Sequence, residues 1–204
     1  MLILQDIWFC MFSFIKSKLR KRALNAVAVH RKGSAVFPDC ARGGTLGVVY
    51  SINKPKDIPL FEELTCYLQG LDVSCYGIVV ETGKCFKDKI AREQFGESCL
   101  SRGFAFVGYP SLDWIGVPQK SVRDDFWSRE YDMVVCFNQA CNFTLDYIVS
   151  SLRGGFLVGM NSDGMAVYDL VLEQGVYNLS PVEYMQRLFG YLQMMRGGVA
   201  HRAG

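Results

Sequence analysis

Histidine is almost missing from this sequence, and its scarcity limits the chemistry that the chain can perform. The 204 residues contain two histidines, His30 and His201, which lie near the two ends. The eight cysteines form no CxxC pair, so the ligands of a closed zinc site are not in place. Without an imidazole between the ends to activate a nucleophile, we predict neither a metal site nor serine or cysteine hydrolase chemistry.

The glycine motifs that bind nucleotide phosphates are missing as well. Gly43, Gly44 and Gly47 lie at the start of the first apolar segment. A dinucleotide site needs its glycines after the strand, where backbone N–H groups at the start of a helix meet phosphate. The sequence also has no Walker lysine loop and no Gly-x-Ser-x-Gly elbow. We therefore predict that the protein uses no cofactor.

The chain has no long uninterrupted apolar run. Its first fifteen residues, MLILQDIWFCMFSFI, are interrupted by Gln5 and Asp6 and fall short of the roughly 20 residues of a membrane-spanning helix. The positive charges follow this run, whereas they precede the apolar run of an export signal. We expect a cytoplasmic protein that begins at Met1 or Met11, with a signal anchor as the alternative. The scattered cysteines then fit small buried side chains in a reducing compartment.

The charge of the chain is concentrated at its beginning. Seven of the 22 basic residues lie in the first 32 positions with one acid, Asp6, whereas the remainder holds 15 basic and 19 acidic residues. Such an asymmetry indicates an anionic partner. The apolar residues at helical spacing in this region predict a basic amphipathic helix, and they are Phe12, Ile15, Leu19, Ala23 and Ala26.

Five basic residues of this helix are the candidate binding residues: Lys16, Lys18, Arg20, Lys21 and Arg22. Cations beside Phe and Ile suit the anionic inner face of a membrane. The same pattern suits ribosomal RNA or an acidic protein. Alternatively, the apolar side packs against the protein's own sheet and the charges are only solvated.

After Gly43 the pattern becomes α/β. Apolar segments predict strands at about 45–52, 72–80, 104–109, 131–137 and 156–160, and a further apolar segment covers 165–172. Helical patterns lie between them, at about 57–69, 87–95, 119–129, 142–153 and 181–195. We predict a Rossmann-like three-layer sandwich with a mostly parallel sheet of five or six strands. The NSDG turn at 161–164 predicts a hairpin or an outward excursion at one edge.

The domain organisation follows from these patterns. Residues 1–42 form the helical leader and a linker, residues 43–196 form the α/β domain, and residues 197–204 form a C-terminal tail. Asp132 and Asp169 share a Tyr-Asp-apolar setting, which we interpret as the beginning of two strands rather than a catalytic carboxylate pair.

Ligands of such folds bind outside the carboxyl ends of the strands. The residues predicted there form a candidate pocket for a small molecule: Lys54, Asp113, Trp114, Asn138 and Cys141. Asp113 beside Trp114 suits a ribose or sugar, but we favour the alternative in which the aspartate caps a turn and the tryptophan lies at the edge of the core. Cys141, near the start of a helix, is the best candidate for a reactive thiol.

Several segments together resemble an uncharacterised Bacteroidota family of small α/β proteins of unknown function. They are GTLGVVYSINKPKDIP, LDWIGVP, YDMVVCFN, FTLDYIVSSLRGGFLVG and YDLVL. The resemblance covers about residues 11–195 and implies the fold and a cytoplasmic setting, but no reaction. The stretch from YDMVV to FLVG also resembles one half of heptosyltransferase-type enzymes, without their second domain.

Two functions remain open from the sequence. The first is a non-catalytic binding or adaptor protein whose basic helix contacts an anionic surface. The second is a small or degenerate transferase that binds a nucleotide or sugar at the carboxyl ends of the strands. The basic leader is visible in the sequence whereas catalytic groups are not, so we favour the first.

Overall fold

The computed structural model describes residues 2–28, 44–119, 124–138, 142–161, 168–173 and 179–200. Its helices are α1 (Leu2–Ala28), α2 (Asp57–Gln69), α3 (Lys89–Ser101), α4 (Asp124–Ser128), α5 (Phe143–Ser151) and α6 (Pro181–Ala200). Its strands are β1 (Thr45–Ile52), β2 (Ser74–Glu81), β3 (Phe104–Val107), β4 (Glu130–Cys136), β5 (Arg153–Gly159) and β6 (Leu170–Val171). A single 3₁₀ turn at Tyr109–Ser111 follows β3.

The six strands form one sheet in the order β3-β2-β1-β4-β5-β6, and every neighbouring pair is parallel. Strand β1 is central: it pairs with β2 along its whole length and with β4 from Leu46 to Val49. This order is that of the doubly wound Rossmann sheet, in which the direction of winding reverses between β1 and β4. The predicted fold class is confirmed.

Helices cover both faces of the sheet because parallel strands are buried on both sides. On one face, apolar side chains of α2, α3 and α6 pack on the sheet, and Phe61 and Tyr184 are among the largest of them. On the other face, α4 and α5 contribute Phe126, Leu145 and Ile148. Leu145, Ile148 and Val149 of α5 are buried, whereas Leu60 of α2 is 36% exposed.

Helix α1 forms an additional layer outside α5. Leu24 is 5% exposed and packs with Phe143 and Tyr147 of α5 and with Val117. Helix α5 is therefore enclosed between the sheet and α1, which explains why all of its residues from Phe143 to Val149 are buried. The segment predicted as a leader thus contacts the α/β domain through its C-terminal half.

Three elements differ from the sequence prediction. Helix α3 extends to Ser101, six residues beyond the short helix expected there, and α6 extends to Ala200, into the predicted tail. The hairpin expected after β5 is wrong, because β6 pairs parallel with β5 and a hairpin joins antiparallel strands. The NSDG turn itself lies largely outside the described residues.

The two Tyr-Asp pairs perform the same structural task at two places in the sheet. Asp132 accepts a hydrogen bond from the Thr45 N–H at 2.7 Å, and Asp169 accepts one from the Leu157 N–H at 2.7 Å. In both cases the adjacent tyrosine lies over a glycine of the strand so held. A Cβ on Gly47 would lie 2.9 Å from Tyr131 Cδ1, and one on Gly159 would lie 2.8 Å from the ring of Tyr168. The aspartates are structural, as predicted.

This close approach makes Gly47 a test of the packing. We expect Gly47→Ala to lower the free energy of unfolding by about 1–3 kcal/mol, because the added methyl group meets the Tyr131 ring in a filled core. The measurement is urea denaturation followed by circular dichroism. Gly190→Ala is the control: no atom lies within 4 Å of its added Cβ in α6, so the helix should gain about 0.5–1 kcal/mol. Equal effects of the two substitutions would contradict the proposed packing.

Candidate functional site

The carboxyl edge of the sheet holds four of the five residues predicted for a ligand pocket, namely Lys54, Asp113, Trp114 and Asn138. Lys54, after β1, is exposed. Asn138, after β4, is 1% exposed, and its Oδ1 accepts from the Met160 N–H at 2.7 Å while its Nδ2 donates to the Asn161 carbonyl at 3.1 Å. Asn138 therefore joins the ends of β4 and β5. Cys141 lies outside the described residues.

Asp113 organises the turn that follows β3. Its Oδ1 accepts from the backbone N–H groups of Ile115 at 3.0 Å and Val117 at 2.8 Å. Gly116 in the same turn has φ +95°, a conformation that favours glycine. Trp114 lies beside Asp113 and is 54% exposed. These contacts are those of the turn-capping alternative, and they leave one oxygen of the carboxylate outside the two hydrogen bonds.

The same turn connects α1 with α5. Arg20 Nε of α1 donates to the Ile115 carbonyl at 2.8 Å, and its guanidinium lies 4.9 Å from the ring centre of Phe143. Thr144 of α5 donates from Oγ1 to the Gly116 carbonyl at 2.8 Å. Arg20 thus attaches α1 to the domain. This contact distinguishes Arg20 from the other four cations that were predicted to bind an anionic surface.

Helix α1 has an inner and an outer side. Arg20, Ala23, Leu24 and Val27 contact the domain. The apolar stripe predicted from the sequence is divided, since Ala23 lies on this side whereas Ile15 is 43% exposed and Ala26 is also exposed. Apolar residues occur on both sides of the helix, so their spacing alone does not identify the buried one.

The outer side of α1 combines cations with apolar side chains. We call this set the outer face, and its members are Phe14, Ile15, Lys18, Lys21 and Arg22. Phe14 is 60% exposed, and Lys18 Nζ lies 4.5 Å from its ring centre. Lys16 is half-buried nearer the inner side. Three of the five predicted binding cations therefore point to solvent together with two exposed apolar side chains.

A second group of cations, which the sequence did not reveal, lies where β1 and β2 end. We call it the lysine rim, and its members are Lys54, Lys56, Lys84, Lys87 and Lys89, all exposed. The turns that carry them are in contact: the Thr82 N–H donates to the Ile52 carbonyl at 2.9 Å, and a Cβ on Gly83 would clash with Asn53. Lys54 and Lys84 are 30 positions apart in the chain, so only the pairing of β1 with β2 brings their turns together.

A buried acid beside the rim is neutralised. Glu81, at the end of β2, is fully buried and accepts from Arg92 Nε at 2.8 Å, from Arg92 Nη2 at 3.3 Å and from the Tyr109 N–H at 2.9 Å. The carboxylate beside it raises the pKa of Arg92, chiefly through the hydrogen bond. This pair fixes the start of α3 against the end of β3. Tyr109, held there by its backbone, is 58% exposed.

Comparison with known proteins assigns the chain to a family. A family model described as "Family of unknown function (DUF6913)" matches residues 14–195. The chain belongs to this family. The predicted membership in a family of unknown function is thereby confirmed, whereas the Bacteroidota origin and the likeness to heptosyltransferases stay predictions. No curated protein and no solved structure matches the chain. The matched residues of the DUF6913 model include both the outer face and the lysine rim.

Within the described part of the chain, no helix is both long enough and apolar enough to cross a membrane. In that same part, no three histidine, cysteine, aspartate or glutamate side chains come together as a group that could hold a metal ion. The site is therefore described by its two cationic surfaces.

Arg20 should differ from its cationic neighbours in its effect on α1. We expect Arg20→Ala to destabilise the docking of α1 by about 1–2 kcal/mol, because it removes a charged hydrogen bond and a contact with Phe143. Faster hydrogen exchange of the α1 amides measures this loss. Arg20→Lys should give most of the same effect, since lysine lacks the planar guanidinium. Lys21→Ala is the control and should change little; an equal effect of Lys21→Ala would contradict the assignment.

The described cysteines should differ sharply in reactivity. Burial raises the pKa of Cys75, Cys99 and Cys136 to about 12 and that of Cys85 to about 11, whereas Cys66 on α2 is exposed. Since the thiolate is the nucleophile, iodoacetamide at pH 7.5 should label Cys66 in the native protein and leave these four unlabelled until it unfolds. Peptide mapping by mass spectrometry measures the labelling. Rapid labelling of Cys136 in the native protein would contradict its complete burial at the end of β4.

Proposed function

We propose that the protein is a non-catalytic binding protein, an adaptor, whose helix α1 binds an anionic surface, and that this surface is an anionic lipid bilayer. The observation that supports the proposal is the division of α1 into two sides. Its inner side is fastened to α5 by Leu24 and Arg20. Its outer face presents Lys18, Lys21 and Arg22 to solvent.

The exposed apolar side chains favour lipid over the other anionic partners. Phe14 and Ile15 are 60% and 43% exposed beside these cations. A helix that lies in a membrane interface inserts such side chains between the headgroups while its cations meet the lipid phosphates. RNA phosphates would attract the cations but leave Ile15 in water. An acidic protein groove needs a partner with an apolar floor, whereas a bilayer supplies both chemistries.

The transferase alternative receives less support from the described residues. The side chains of Asn138 and Asp113 form hydrogen bonds with backbone groups of the protein itself. Lys54 is exposed and belongs to the lysine rim. Two of the residues predicted for a sugar or nucleotide pocket therefore have structural roles, and a transferase would need catalytic groups beyond them.

Vesicle co-sedimentation of the full chain tests the proposal. We expect binding to vesicles with 30% phosphatidylserine at low salt, weak binding to phosphatidylcholine alone, and release at high salt. The variant Lys18→Gln/Lys21→Gln/Arg22→Gln should bind on the order of 100-fold more weakly, since each cation near an anionic surface contributes about 1 kcal/mol. Point substitutions are preferable to removal of α1, which would uncover Phe143 and Tyr147.

Two further variants separate lipid from other anionic partners. Phe14→Ala/Ile15→Ala should lose about tenfold in vesicle affinity because it removes the inserted apolar area. Lys54→Gln/Lys84→Gln/Lys87→Gln removes the same charge from the lysine rim and should bind vesicles almost as the unchanged protein does. If the apolar pair is dispensable, or if the two triple variants lose affinity equally, lipid binding by the outer face is refuted.

A further inference from the structure

We infer that the lysine rim, together with Tyr109, is a second binding surface that takes single-stranded nucleic acid. This surface is distinct from the outer face of α1, and the inference does not depend on the proposed lipid binding. It spans the carboxyl ends of three neighbouring strands. Lys54 and Lys56 follow β1, Lys84 and Lys87 follow β2, and Tyr109 follows β3.

The charge of this surface stands out from the rest of the domain. Residues 53–57 and 82–91 contain five lysines and two acids, although the chain after residue 32 has more acids than cations. Both acids serve the backbone: Asp57 accepts from the N–H groups of Asn53 and Lys54 at 2.8 Å each, and Asp88 accepts from the Ala91 N–H at 2.8 Å. They stabilise the starts of α2 and α3, and in the described part of the chain neither of them forms an ion pair with a lysine.

The lysines of the rim form few ion pairs within the protein. Lys89 forms an exposed ion pair with Glu93 at 3.4 Å. Among the described residues, no ion pair involves Lys54, Lys56, Lys84 or Lys87. Lysines on turns that contact each other repel one another unless an anion lies nearby. A bound polyanion would supply that negative charge. The buried Glu81, paired with Arg92, does not offset them.

The shape of the surface favours a polymer over a small ligand. A small ligand is usually held in a concave, mostly apolar pocket by a few converging polar groups. Here every lysine of the rim is exposed, and with Tyr109 the surface extends over the ends of three strands that are spaced about 4.8 Å apart. Spaced phosphates along a flexible chain match this distribution, because each lysine can meet a different phosphate.

Tyr109 distinguishes a nucleic acid from other polyanions. It is 58% exposed, and its backbone N–H donates to Glu81 at 2.9 Å, which fixes its backbone beside the end of β2, the strand that leads into Lys84 and Lys87. An exposed aromatic ring beside cations is the arrangement on which unpaired bases stack. An acidic protein or a phosphorylated lipid has no base for such a ring.

The test is fluorescence anisotropy of the full chain with a labelled 12-nucleotide uridine RNA at several salt concentrations. We expect Lys54→Gln/Lys84→Gln/Lys87→Gln to weaken binding at least tenfold and to reduce the slope of log K against log salt by about 2, since each lost phosphate contact removes about 0.7. Circular dichroism confirms that the variant is folded, as expected for exposed positions. The charge-matched α1 variant Lys18→Gln/Lys21→Gln/Arg22→Gln should retain the affinity.

Substitution of Tyr109 tests base stacking, which the lysine variants do not test. Tyr109→Ala should weaken RNA binding about tenfold while Tyr109→Phe retains it, because stacking needs the ring and not the hydroxyl group. Tyr191→Ala, which changes an exposed tyrosine of α6, is the matched control and should have no effect. The inference is overturned if the rim variant binds RNA normally, if Tyr109→Ala is silent, or if poly-glutamate competes as well as RNA does. Loss of RNA binding in the α1 variant alone would also overturn it, without touching the lipid proposal.

Discussion

Parallel pairing of all the strands is the constraint from which the rest of this structure follows. Because each strand must run in the same direction, each helix returns the chain to the opposite edge, and every turn from a strand into a helix lies at the carboxyl edge. Two separate surfaces result. The turns after β1 and β2 present the lysine rim, and the turn after β3 reaches the start of α5 through Gly116 and Thr144. The latter turn is also where Arg20 attaches α1.

The outer layer made by α1 depends on that arrangement. A helix that covers a parallel sheet normally exposes one side to water, but α5 is buried on both sides. Its outward residues Phe143 and Tyr147 need the cover that Leu24 provides. The hydrophobic contact holds the C-terminal half of α1 in place, and the hydrogen bond from Arg20 sets its rotation. With this rotation, Lys18 and Arg22 face away from the domain, so the packing of one side of the helix determines which charges are left for a partner.

Local patterns were sufficient for the elements but not for their arrangement. The predicted bounds of β1 and α2 agree with the structure. A run rich in β-branched residues indicates the strand, and Pro55 with the amphipathic stripe after it indicates the helix, so each signal lies within one segment. The strand order and the lysine rim depend on pairing between segments far apart in the chain, which no local pattern contains. The buried side of α1 was missed for a related reason: the burial of Leu24 depends on Val117 and Phe143, and the helix sequence alone offers Ile15 as an equally apolar candidate.

The candidate pocket residues show why a polar residue that follows a strand in the sequence is not always available to a ligand. Asp113 and Asn138 are polar residues after strands, as ligand-binding residues often are, but polar groups near a buried edge first satisfy the backbone that ends there. Asn138 bonds to two backbone groups at the end of β5, and Asp113 bonds to two in its own turn. The groups available to partners in the described part of the chain are the exposed lysines of the rim, exposed Tyr109 and the outer face of α1. Groups of this kind interact by charge, stacking and insertion, and the proposed binding role rests on them.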